Sequence, residues 1–302
     1  MRIVIAVGGN ALLERGDRPD YDIQEHNVAI AVAALVPLVH DHDVIITHGN
    51  GPQVGVLAIE SASDRTLRRP YPLDTLGAET QGLIGYWLVQ ELQNRLPERL
   101  VSAVVTQTVV DANDPAFELP TKFVGPVYEA TEAEELAGSR GWNIAADGDR
   151  WRRVVASPVP LRIVEADVIR LLVDAAVVVV CAGGGGIPVV VDADGHLEGV
   201  EAVVDKDLTA ALLAEEMGAD ALIVLTDVDG VFSDHGTPDA QLIHDTTPAV
   251  LRAMPFPAGS MGPKVDAVCR FVERTGHVAA IGSLADAAAV LTGERGTLVR
   301  PD

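Results

Sequence analysis

Lysine is almost missing from this 302-residue chain: Lys122, Lys206 and Lys264 are the only three, and the other 19 of its 22 basic residues are arginine. Aromatic residues are also scarce, at 4%, so the core must be filled by close-packed aliphatic side chains. Two cysteines, Cys181 and Cys269, stand far apart in no CxxC pair, which excludes a disulfide framework and a cysteine zinc site and leaves buried free thiols. Long apolar runs are missing too. The run at residues 3–7 stops at Gly8-Gly9-Asn10, too short for a secretory signal, and the charge-free stretch 175–191 carries four consecutive glycines and Pro188, which reads as strand, loop, strand. A chain with no targeting or membrane segment is expected, with a cytoplasmic location. Positive charge is in deficit: 44 acidic residues against 22 basic give a formal charge of −22, which repels nucleic acid and anionic membranes. An acidic, Lys-poor surface of this kind suits a protein that stays hydrated in concentrated salt.

What the chain does contain is 48% hydrophobic residues and a mean hydropathy of +0.23, enough for one large domain or two lobes. Short Val/Ile-rich runs at 2–7, 44–47, 101–110, 177–181, 221–226 and 277–282 read as buried strands. Helical stripes lie between them: Val28, Val32, Leu35, Val36 and Val39 on one, and Leu83, Ile84, Trp87, Leu88 and Leu92 on another. The alternation predicts an α/β protein with a mostly parallel sheet between helices, interrupted by a hairpin around Asp192-Ala193-Asp194-Gly195. Residues 117–157 break the rhythm with an acidic helix-like stretch and the run Arg150-Trp151-Arg152-Arg153, which predicts an excursion from the sheet.

Three glycine clusters follow predicted strands: Gly8-Gly9-Asn10, Gly49-Asn50-Gly51 and the run from Gly183 to Gly186. One such cluster reads as a tight turn; three at strand ends point to an anion-binding crevice along the carboxyl edge of the sheet. Neither a GxxxxGK[ST] P-loop nor a GxGxxG fingerprint is present, so a nucleotide has to be held by other means. The three lysines stand beside glycine, proline and aspartate: Lys122 after Pro120-Thr121, Lys206 between Asp205 and Asp207, Lys264 after Met261-Gly262-Pro263. Their ammonium groups suit a reaction that moves a phosphoryl group between two anions.

The segments VGGNALL (7–13), THGNGPQVG (47–55), PTKFVGPVY (120–128), WRRVVASPVP (151–160), GGGGIPV (183–189), GVEAVVDKDLTAALLA (199–214), LTDVDGV (225–231) and GSMGPKV (259–265) together resemble the carbamate kinases, within the amino acid kinase superfamily. The resemblance runs in order over residues 2–299, and departs from the family pattern at Cys181-Ala182 and at 146–149. It implies a three-layer α/β/α sandwich with a mostly parallel central sheet and a small protruding subdomain. It divides the chain into an N-terminal lobe, 1–180, holding the acceptor site and a lid at 117–157, and a C-terminal nucleotide lobe, 181–302. It also implies reversible transfer of a phosphoryl group between ATP and carbamate, giving ADP and carbamoyl phosphate, with use in the direction that makes ATP from carbamoyl phosphate. By the same resemblance Gly8, Gly9, Asn10, Gly49, Asn50 and Gly51 cradle carbamate and the phosphoryl group, and Lys122, Lys206, Asp207 and Lys264 are catalytic. Gly183, Gly184, Lys206, Thr226, Asp227, Val228, Val231, Met261, Gly262 and Lys264 surround ATP or ADP, with Mg2+ carried mainly by the nucleotide phosphates and no metal site in the protein. A homodimer is implied. The rival readings are a sister acid kinase acting on acetylglutamate, against which Ala6-Val7 stands where such enzymes place a lysine, and a non-catalytic nucleotide-binding regulator of the same fold. Carbamate already bears a negative oxygen, so its attack on phosphorus requires no general base, and His48 is read as a loop-packing residue.

Overall fold

The computed structural model describes residues 1–9, 12–13, 17–256 and 261–302. In chain order, β1 (Arg2–Val7), α1 (Tyr21–Asp41), β2 (Asp43–His48), α2 (Gly51–Ser63) and α3 (Leu73–Arg95) precede β3 (Val101–Ala103) and β4 (Gln107–Val110). The excursion follows as β5 (Lys122–Tyr128), α4 (Ala130–Arg140), β6 (Asn143–Asp147) and β7 (Arg150–Val155). Next come β8 (Pro160–Ile163), α5 (Ala166–Asp174), β9 (Val178–Val180), β10 (Ile187–Val191), β11 (Leu197–Gly199), α6 (Lys206–Glu216) and β12 (Ala221–Thr226). The chain ends with β13 (Phe232–Ser233), β14 (Gln241–Leu242), β15 (Asp245–Thr246), α7 (Pro248–Arg252), α8 (Met261–Thr275), β16 (Val278–Ser283), α9 (Ala287–Thr292) and β17 (Thr297–Val299).

Eight strands form the central sheet in the order β15-β17-β16-β12-β1-β2-β9-β3, parallel throughout except where β17 runs against β16. Strands from both halves of the chain therefore share one sheet, with β1 paired to β2 on one side and β12 on the other. Because side chains alternate along a strand, each strand feeds two cores. Val4, Ala6, Ile45, Leu222 and Val224 pack with Ile169, Leu213, Val268 and Phe271 of α5, α6 and α8. Ile3, Ile5, Ile46, Ile223 and Leu225 pack with Val32, Leu35, Leu88 and Val290 of α1, α3 and α9. The result is the expected α/β/α sandwich. The helix α1 is long and apolar enough to cross a membrane by composition alone, and its apolar stripe is spent on this second core.

Three details depart from the sequence pattern. The run 101–110 is not one strand. It splits into β3 in the main sheet and β4 in a four-stranded sheet of order β11-β10-β4-β8. The break falls at Thr106, where Gln81 of α3 bonds to the backbone: its Oε1 accepts the Thr106 N–H at 2.8 Å, and its Nε2 donates at 3.0 Å to the Thr106 carbonyl, which also accepts the Ile187 N–H at 2.8 Å. Leu83, placed on the buried stripe of α3 by spacing, is 37% exposed, whereas Ile84, Trp87, Leu88 and Leu92 are buried. Val36 of the α1 stripe is half-buried. The predicted hairpin is present as antiparallel β10 and β11, and the excursion is a separate antiparallel sheet, β5-β7-β6, with α4 against it.

Candidate active site

Parallel register carries the ends of β1, β2, β9 and β12 to the same edge of the sheet, where the chain leaves each strand in the segments the sequence singled out. Gly8 and Gly9 follow β1 and Gly49 follows β2. The two turns are stitched to the strands by Gly8 N–H donating to the Leu225 carbonyl at 2.9 Å and Gly49 N–H to the Val7 carbonyl at 3.0 Å. Glycine is required at Gly49 because a Cβ there would lie 2.6 Å from the Gly9 nitrogen and 2.7 Å from its Cα. Asn50 precedes the first turn of α2, and its Nδ2 donates to Thr80 Oγ1 at 2.8 Å. Asn10 lies outside the described residues.

These turns line a cleft of about 730 Å³ whose other walls come from the protruding sheet and from the starts of α6 and α8. Gly9, Gly49, Asn50, Gly51, Gly184, Lys122, Lys206, Asp207 and Lys264 all border it. Lys122 opens β5, Lys206 opens α6, and Lys264 stands in the first turn of α8, so three separate elements each deliver one of the chain's three lysines to one space. Asp207 is the centre of the charge pattern. Its Oδ1 pairs with Lys206 Nζ, and its Oδ2 accepts from Lys264 Nζ at 3.0 Å. Asp205 caps α6, its Oδ1 accepting the N–H groups of Asp207 at 2.9 Å and Leu208 at 3.3 Å, and its Oδ2 accepts from Lys122 Nζ at 2.6 Å.

Burial would raise the Asp207 carboxyl, but the Lys206 and Lys264 charges prevail and hold it well below the usual carboxylate range. Burial pulls Lys206 below the ordinary lysine value, with Asp207 opposing and Lys264 adding to the effect. Burial also disfavours charge on Lys264, yet Asp207, helped by Asp205 and Asp227, overrides it and leaves the ammonium above its ordinary value. The cleft thus holds ionised groups ready to meet anions. His48 is fully buried behind it with Nδ1 at 2.9 Å from the Gly49 carbonyl. Burial drives the imidazole down to about 4, against the Gly49 carbonyl and with help from the Lys206 charge, so the ring is neutral and packs the loop.

The remaining sequence-predicted residues distribute along the same edge. Gly183 is buried, with His48 and Gln81 where its Cβ would be, and forms backing; Gly184 (φ 65°) reaches the cleft against the Asn50 amide. Thr226 is buried at the end of β12 with its Oγ1 donating to Asp227 Oδ1 at 3.1 Å; Asp227 and Val228 follow it, outside the cleft lining. Val231 is fully buried in the core, its N–H donating to Thr297 Oγ1 at 2.8 Å. Met261 and Gly262 start α8 ahead of Pro263 and Lys264, which line the cleft. Among the cleft residues that escaped sequence reasoning are Asp205 and Arg152. Asp205 was legible as a helix cap before Lys206, but not as the partner of Lys122. Arg152 comes from β7, its Nε donating to the Gly125 carbonyl at 2.7 Å and its Nη1 to Asp147 Oδ2 at 3.3 Å, and a motif rich in arginine gave no sign of which one faces inward.

A parallel sheet with glycine turns and three convergent lysines at its carboxyl edge defines the class: the chain belongs to the amino acid kinase family, whose model matches residues 1–283. Within it the chain is similar to the carbamate kinases. That of Rhizobium meliloti (strain 1021) is 53% identical over 302 residues, covering 99% of this chain and 93% of the relative, and that of Haemophilus influenzae is 48% identical over 300 residues, covering 99% and 96%. Among solved structures, carbamate kinase from Giardia lamblia bound to AMP-PNP superposes with a TM-score of 0.91 at 38% identity, covering 100% of this chain and 98% of the other.

Proposed function

We propose that this protein catalyses reversible phosphoryl transfer between ATP and carbamate, giving ADP and carbamoyl phosphate. The observation that carries the reading is the convergence of all three lysines on one glycine-lined cleft, in a chain similar over nearly its whole length to carbamate kinases. Carbamate and the transferring phosphoryl group would lie against Gly8, Gly9, Asn10, Gly49, Asn50 and Gly51, where the glycines let a ligand approach the backbone closely. The nucleotide would approach from the C-terminal lobe, 181–302, past Thr226, Asp227, Val228, Met261 and Gly262.

The carbamate oxygen is already anionic, so the protein need not remove a proton. Its work is to align two anions and neutralise charge on the group in flight. Lys206 and Lys264, both fixed by Asp207, are placed to hold phosphate oxygens from the nucleotide side, and Lys122 completes the cage from the protruding sheet. The segment 117–157 then acts as a lid that excludes water once substrates are in place. The carboxylates of Asp205 and Asp207 are taken up by lysines and backbone N–H groups, a donor set that fits magnesium arriving on nucleotide phosphates and waters rather than in a protein cage. When bound, that ion neutralises phosphate charge. We further propose a cytoplasmic homodimer with no nucleic-acid or membrane partner, in keeping with the −22 charge.

The test is a coupled assay of ATP made from ADP and carbamoyl phosphate by the purified protein. Production of ATP, with no phosphorylation of acetylglutamate, is expected; comparable turnover of acetylglutamate would transfer the protein to the sister acid kinases.

A further inference from the structure

Resting on that reading, we propose that Asp205 is a positioning residue that aims Lys122 at the transferring group, in the same way that Asp207 aims Lys206 and Lys264. The side chain of Asp205 is buried and immobilised: Oδ1 is committed to two backbone N–H groups in the first turn of α6, which fixes the direction in which Oδ2 points. That oxygen meets Lys122 Nζ at 2.6 Å across a sequence separation of 83 residues, and the pair joins the protruding sheet to the body of the protein at the lip of the cleft. An ammonium has three N–H donors, so a single bond to Asp205 leaves two for phosphoryl oxygens. The carboxylate therefore orients the lysine without consuming it, through a charge-assisted bond of the stronger kind. The two aspartates stand two residues apart at the same helix start and divide the three lysines between them, Asp205 serving the protruding sheet and Asp207 serving α6 and α8.

The sheet does not depend on this bond alone for its attachment. Arg153 Nη2 donates to Glu201 Oε1 at 3.0 Å, and Glu201 Oε2 accepts the Leu73 N–H at 2.9 Å at the start of α3. Breaking the Asp205–Lys122 pair should accordingly disturb the aim of Lys122 more than the docking of β5.

Asp205→Asn separates the two duties of the residue, because asparagine caps a helix as well as aspartate but carries no charge. Turnover in the ATP-forming direction should fall by about 10-fold or more, the loss of one oriented charge at the transition state, while the ADP dissociation constant stays within about 2-fold and the melting temperature is nearly unchanged. In a Lys122→Ala background the same substitution should cost nothing further. With only three lysines to map, the rate at which an amine reagent labels Lys122 should rise in Asp205→Asn, whatever reaction the protein catalyses. Wild-type turnover in the variant, a loss that multiplies with that of Lys122→Ala, or an unchanged labelling rate overturns the assignment. Failure of the wild-type protein to make ATP would instead refute the functional reading, and the labelling rate would then decide the Asp205–Lys122 pair by itself.

Discussion

Gly55 in α2 and Gly125 in β5 touch backbone to backbone: a Cβ built on Gly55 would lie 2.5 Å from the Gly125 Cα and 3.1 Å from its nitrogen. Gly125 has φ 72°, a conformation that side chains disfavour, so neither partner tolerates enlargement. This is the place where the protruding sheet rests on the body, a few residues from Lys122. Gly55→Ala should lift β5 from α2 and lower turnover by about 10-fold or more while ADP binding, made elsewhere, changes little. Single-turnover kinetics together with calorimetric ADP titration measure the split, and equal loss in both would mean that the contact supports the whole site rather than the lid.

Lys206→Met should reduce turnover by on the order of 10² or more, because it deletes a buried charge held against Asp207 at the start of α6. The fold should persist, since Lys264 still neutralises Asp207. Activity near wild type at equal folded concentration would remove Lys206 from the mechanism.

Lys122→Ala should depress turnover strongly and leave the ADP dissociation constant almost unchanged, because Lys122 belongs to the protruding sheet and is a third exposed. A large loss of ADP affinity with normal turnover would make Lys122 a static nucleotide ligand.

His48 ties stability to mild acid. Its folded value of about 4 is depressed from the ordinary 6.5, so the unfolded chain binds the proton more readily. The stability that comes from keeping the ring neutral is fully present above about pH 6.5 and is lost as pH falls towards 4, amounting to roughly 3 kcal/mol at the lower limit. Denaturant unfolding at pH 7.5, 6.0 and 4.5 should show this slope, and His48→Gln should flatten it. Parallel slopes in the two proteins would show that other groups carry the acid sensitivity.

With a formal charge of −22, the folded protein repels itself, and added salt screens that repulsion. The melting temperature should rise from low to molar sodium or potassium chloride. A flat or falling curve would count against a salt-adapted surface.

Several features of this protein were determined by sequence alone because they depend on neighbours within one element. The continuous apolar runs 3–7 and 221–225 specify strands buried on both faces, and the glycines that follow β1 and β2 specify turns without Cβ atoms wherever those strands end. Scarcity makes the three lysines conspicuous in the sequence itself. Tertiary structure decided what depends on residues distant in sequence. Nothing within 101–110 announces that Gln81, from a different element, will bond to both backbone groups of Thr106 at the point where the run passes from one sheet to the other. Gly183 and Gly184 are adjacent and chemically identical, yet one is walled in by His48 and the other borders the cleft, because the turn's backbone angles alternate which side faces the opening. Above all, the meeting of Lys122 with Asp205 is set by how the protruding sheet seats on α2, and packing between separate elements leaves no periodic trace in the chain that folds to make it.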